Sequence, residues 1–168
     1  MNENYIVING KKIDLTEEQI KSLGIKLRKN PFERVTELEA RYYINAFNEV
    51  QRVRDDMDQI TDKLNDMLFG CSNYFNDDSF ANQIALHQLL YRKLLKFAYD
   101  NKYEDTEKWN GNNLHFYIIY DSIHDKYDVS YTSSYKQSSV YFSLEEGAER
   151  AIREVVEPFV KEHPDFVW

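Results

Sequence analysis

A chain of 168 residues, 42% hydrophobic and 15% aromatic, has apolar material enough for one domain and a small appendage. Its 13 Tyr and 10 Phe make rings as large a part of that core as Leu and Val. A formal charge of −8 argues against a general nucleic-acid binder, and a single cysteine, Cys71, excludes an internal disulfide and a thiolate zinc site.

Residues 1–29 read as a hairpin-helix appendage followed by a basic connector. "YIVINGKKIDL" gives two short β-type runs around Asn9-Gly10, the favoured dipeptide of a type I′ hairpin. Thr16 and Gln19 then stand at capping-box spacing, Leu15 and Ile20 form a hydrophobic staple, and Gly24 offers a stop. So small a unit buries little, and it is expected to dock on the main body or on a second copy. The chain does not open on a basic stretch followed by an apolar run, so no signal peptide is expected. No 18-residue apolar stretch occurs either, so no transmembrane helix is expected. With so few thiols, this places the protein in a reducing cytoplasm. In the connector sequence "IKLRKNPFERV", Pro31 biases Asn30 towards extended backbone.

Residues 36–69 carry two conflicting signals. Tyr43, Ala46, Val50, Val53, Met57, Ile60, Leu64 and Met67 recur at three- and four-residue steps, with Thr36 and Glu39 as a capping box and Gly70 as a stop, which predicts one long helix with an apolar seam. "YYIN" and "VQRV" around the polar "AFNE" instead read as a hairpin. Residues 78–100 predict a helix apolar around most of its circumference, with Leu86, Leu90, Leu94 and Phe97 on one face. "DNKYEDTEKWNGNN" reads as a polar loop. Three strands follow, "LHFYIIYD", "KYDVSYTSSY" and "SSVYFS", and then a helix capped by Ser143 with Glu146 and disturbed at Pro158.

One pattern occurs twice. Shifted by 67 residues, Tyr74-Phe75 falls on Tyr141-Phe142, Ala81 on Ala148, Ile84 on Ala151 and Ala85 on Ile152. In both copies an aromatic strand turns into a helix whose first turns are small residues, which lets the helix lie close to its sheet. The fold expected is α+β: an antiparallel sheet with two main helices from a duplicated β-β-β-α unit over residues 30–168, the halves being about 36–103 and 104–168.

"NPFERV", "YYIN…NEV", "SNYFNDDSFANQIALHQLLYRKLLKFA", "HFYIIYD", "VYFSLEEGAERAI" and "EPFVKEHPDFVW" resemble a family of small accessory proteins encoded by phages and prophages of Firmicutes. The resemblance runs from about Asn30 to Trp168. Members read roughly "YYYI…GEV", then "GNYF…E.AE", then a second such set. The resemblance implies duplicated β-β-β-α units and turns 41–54 towards a hairpin. It names no catalytic residue. Two departures stand out: Asn48 lies where a turn Gly is common, and Cys71-Ser72 precede Asn73 where Gly is usual. Phage proteins of this size and charge include anti-CRISPR inhibitors of host defence nucleases, an analogy of context.

No residue constellation names a reaction. Asp121, His124, Asp125 and Asp128 could gather round a divalent ion, but hairpin turns are rich in such residues for turn chemistry alone. Asp55, Asp56, Asp58, Asp62 and Asp66 form an acidic run that could serve a metal-dependent nuclease, a DNA-mimicking surface, or merely a solvated face. On the predicted strands Tyr117 and Tyr141 are candidate interface anchors, while exposed Tyr is also an ordinary strand residue. The sequence is therefore read as a non-enzymatic, cytoplasmic inhibitor of a host defence complex that needs no cofactor and no metal. Its partner would be a host or defence protein with a basic surface, with neither nucleic acid nor membrane engaged directly. The alternatives are a metal-dependent nuclease or nucleic-acid-processing enzyme, and a module that self-associates as a homodimer through residues 1–35 or the 36–69 seam.

Overall fold

The computed structural model describes residues 5–8, 10–23, 30–35, 40–53 and 59–168. Its architecture is α+β, with helices packed on antiparallel hairpins. The hairpins do not merge: β1 (Tyr5–Ile8) pairs with β2 (Lys11–Asp14), β3 (Tyr42–Ile44) with β4 (Val50–Arg52), and β5 (His115–Asp121) with β6 (Lys126–Thr132), as three separate two-stranded sheets.

In the appendage, Gly10 takes φ 77° at the hairpin turn, a conformation that costs glycine nothing. Helix α1 (Glu17–Ser22) opens on the reciprocal capping box, since the Thr16 amide donates to Gln19 Oε1 at 2.8 Å and the Gln19 amide to Thr16 Oγ1 at 3.3 Å. Leu15 and Ile20 are buried as the staple. Gly24, the expected stop, lies outside the described residues, as do Asn9, Thr36, Glu39 and Met57.

Both signals in 36–69 are realised, each over part of the segment. The hairpin β3–β4 is followed by helix α2 (Gln59–Gly70), which ends at the predicted glycine. The apolar seam is a correction: Leu64 and Met67 are exposed, and α2 buries Asn65 and Leu68 instead. The helix starts after the hairpin, so the continuous periodicity that placed Leu64 and Met67 inward does not govern its orientation.

Helix α3 (Asp78–Asp100) matches the predicted span, with Asp77 as N-cap accepting from the Phe80 amide at 2.9 Å. Its first half buries Ala81 and Ala85 against Ile44 and Phe75. Its second half buries Leu90, Leu94, Phe97 and Ala98 in a larger cluster with Ile118, Phe142, Ala148 and Val156. One helix thus belongs to both hydrophobic clusters.

The third strand of each predicted unit shrinks to isolated bridges in the structure, one at Phe75 and two at Phe142. Phe75 exchanges backbone hydrogen bonds with Tyr42 at 2.8 and 2.9 Å, and Phe142 does so with Phe116 at 3.1 and 2.8 Å. The next residues extend both contacts, the Asn76 N–H donating to the Pro31 carbonyl and the Ser143 N–H to the Tyr103 carbonyl, both at 2.9 Å, the latter beside an antiparallel bridge between Glu104 and Phe142. Because Ser143 is held in this extended segment, the last helix is capped instead at Leu144, with no side-chain cap bond. That helix runs as α4 (Glu145–Ala151), a π turn (Ile152–Val156) and α5 (Glu157–Glu162). The π turn ends two residues before Pro158, whose ring nitrogen offers no donor to an α-helical carbonyl. The C-terminal tail returns to α3, where the Gln83 amide donates to the Asp165 carbonyl at 2.6 Å and accepts from the Val167 amide at 3.0 Å.

Candidate functional site

Alternation along β5 turns Phe116 and Ile118 towards the main core and His115 and Tyr117 to the opposite side. There the loop before β5 brings Trp109 flat onto His115, with ring centroids 3.7 Å apart and planes 3° from parallel. Tyr141 meets Trp109 edge-on at 4.9 Å and Tyr117 at 5.6 Å. Gln137 joins the two tyrosines, its amide N–H donating to the Tyr141 hydroxyl at 2.6 Å and its side chain to the Tyr117 hydroxyl at 3.4 Å. The two tyrosines singled out from the sequence therefore belong to one aromatic cluster.

His115 is fully buried, and its Nδ1 lies 2.8 and 3.0 Å from the two carboxylate oxygens of Asp105. Its Nε2 is buried without a hydrogen-bond partner. A ring sealed between Trp109 and the sheet cannot reach a substrate, so the pair orients the loop rather than forming an acid–base dyad.

Two clefts flank this cluster. The larger, about 680 Å³, lies between α3 and β5 and is lined by Tyr91, Tyr117, Tyr120, Gln137 and Trp168 among others. The smaller, about 310 Å³, is lined by Leu95, Tyr99, Glu104, Trp109, Lys136 and Tyr141 among others. Both include Tyr91, Gln137, Ser139 and Val140, so they form one continuous surface. On α3 the exposed Tyr91, Leu95 and Tyr99 follow at four-residue steps, a single stripe along that surface. Tyr120 is held by its hydrogen bond to Asp125, which pushes its phenol above the ordinary range. A third depression, about 610 Å³ beside Asn48 and Cys71, has its polar groups paired with one another, as Arg92 with Asn48 and Asn73 with Ile44.

The acidic run is less coherent. Asp55, Asp56 and Asp58 lie outside the described residues. Asp62 is exposed in the first turn of α2, where negative charge suits the helix dipole. Asp66 is ion-paired with Arg34 at 2.6 Å. The turn carboxylates are also engaged: Asp121 accepts from His124 Nδ1 at 2.6 Å, Asp128 from Lys126 at 2.6 Å, and Asp125 from the Tyr120 hydroxyl. The hydrogen bond from His124 holds the Asp121 carboxyl below the usual range, and that from Lys126 does the same for Asp128. Among the described residues no group of three or more His, Cys, Asp or Glu is placed to hold a metal ion. Among them, too, no helix is long and apolar enough to cross a membrane.

Glu104, Asp105 and Trp109 are functional candidates that the reading of 100–113 as a plain polar loop passed over. The available signal was a tryptophan isolated among charged and amide residues, since so large an apolar surface needs a partner. Compared with family models, curated proteins and solved structures, the chain has no match.

Proposed function

We propose that the protein is a non-enzymatic binding protein, encoded by a phage or prophage, that inhibits a host defence complex such as a CRISPR nuclease in the cytoplasm of the host. The observation carrying this reading is the exposed Tyr91–Leu95–Tyr99 stripe beside the Trp109–Tyr141–Tyr117 cluster. Tyrosine and tryptophan anchor interfaces because they bury much area at little entropic cost, with a hydroxyl or indole N–H at the rim. The net charge of −8 would steer the protein to a basic surface and make association fall with salt. The choice of a defence nuclease as target rests on resemblance and context.

The test uses a purified CRISPR nuclease with its guide and target DNA. Stoichiometric protein should abolish cleavage, and a Tyr91→Ala/Tyr99→Ala variant should restore it. Cleavage unchanged at a large molar excess, over a panel of such nucleases, would overturn the reading. A second reading, self-association, is favoured by the exposed Leu64 and Met67 on α2. Light scattering decides it: a dimer that becomes monomeric in Met67→Glu supports self-association, and a monomer at all concentrations ends it.

A further inference from the structure

We infer that the smaller cleft is an arginine-recognition site, taking the guanidinium of a protein partner's arginine against Trp109 and the carboxylate of Glu104. The inference rests on the binding-protein reading above and names the chemistry the partner must bring. Glu104 lines the cleft, yet its Oε2 is buried with no hydrogen-bond partner. A carboxylate oxygen removed from water without a donor is costly, and a turn of the Glu104 side chain that brings it to a ligand's N–H groups removes that cost.

Trp109 supplies the second half of the site. One of its faces is covered by His115 at 3.7 Å, so the ammonium of Lys136, 4.9 Å from the ring centroid, must stand over the other. The chain's own lysine thus shows that this face accepts a cation. Lys136 is exposed, and no ion pair of Lys136 is present among the described residues, so it can swing away. Tyr99 and Tyr141 complete an aromatic wall around the same space. Guanidinium fits this setting better than ammonium. It stacks flat on an indole while its fork of N–H donors still reaches a carboxylate, whereas an ammonium is a hydrated point charge. The cleft's size, about 310 Å³, suits one long side chain rather than a secondary-structure element.

The site can be tested without the partner. The full chain carrying Trp168→Phe leaves Trp109 as the sole tryptophan. Its fluorescence is followed while N-acetyl-arginine amide, N-acetyl-lysine amide or the neutral N-acetyl-citrulline amide is added. A saturable response to the arginine amide is expected, with citrulline about tenfold weaker. Glu104→Gln should weaken arginine about tenfold, and Lys136→Ala, a surface change that leaves folding intact, should tighten it about threefold. An equal response to arginine and citrulline, an equal response to arginine and lysine, or no gain in Lys136→Ala would overturn the inference. If arginine binds but no nuclease is inhibited, the site stands and the proposed target falls. If a nuclease is inhibited without arginine binding, the reverse holds.

Discussion

Two non-glycine residues, Asn48 and Ser72, occupy backbone positions glycine would hold without strain. Asn48 has φ 67° and Ser72 φ 57°, both in the left-handed region. Asn48 offsets its strain, because its side chain donates to the Ala85 carbonyl at 2.8 Å and accepts from Arg92, tying the β3–β4 turn to α3. No hydrogen bond of the Ser72 side chain is present among the described residues, so Ser72→Gly should raise stability by about 0.5–1 kcal/mol in urea titrations. A loss of stability would show that the backbone there is unstrained. Gly147 gives the opposite case. A Cβ on it would lie 2.6 Å from Cγ of the Tyr103 ring, in a buried helix-to-loop contact. Alanine's better helix propensity is worth about 1 kcal/mol, whereas overpacking a ring against backbone costs about 1–3 kcal/mol. Gly147→Ala should therefore destabilise on balance, and a neutral result in the same titration would mean that Tyr103 moves freely.

At the scale of elements, the β5–β6 turn gathers several paired charges among the described residues. The carboxyls of Asp121 and Asp128 sit below their ordinary range in the folded hairpin, held there by His124 and Lys126 respectively. A carboxyl lowered on folding adds stability above its unfolded value, and that contribution disappears as the pH falls through the folded value. The Ile123 amide donates to Asp121 at 2.9 Å and the Val129 amide to Asp128 at 2.9 Å, so both amides report on the titration. Their NMR shifts should titrate with midpoints below about 3.9, the free aspartate value; midpoints at or above it would contradict the assigned pairs.

Much at this scale was legible in the sequence. The α3 boundaries follow from Asp77 and a long apolar pattern, and the α1 cap from Thr16 and Gln19. The third strands were less legible, because isolated bridges at one Phe in each copy leave no run of alternation to read. The orientation of α2 was misread because one periodic pattern spanned two elements. The loop that carries Trp109 was missed because its packing is long-range: a polar composition does not tell that one ring will lie on a buried histidine of the next strand.

Across the whole molecule, α3 is the organising feature. It supplies buried residues to two hydrophobic clusters and presents Tyr91, Leu95 and Tyr99 on its outer side. The same rod that links the two clusters therefore holds the aromatic stripe in place against the Trp109 cluster, so a partner would meet a rigid surface and lose little entropy in ordering it. The acidic balance belongs to this scale too, since a charge of −8 acts on approach more than on contact. The most direct test of the binding reading is the affinity of the purified protein for a CRISPR nuclease, measured by calorimetry beside the Tyr91→Ala/Tyr99→Ala variant at low and high salt. The account predicts binding that weakens with salt and at least a tenfold loss in the variant, on the order of 2 kcal/mol for interface tyrosines. Equal affinity of the two proteins would contradict it.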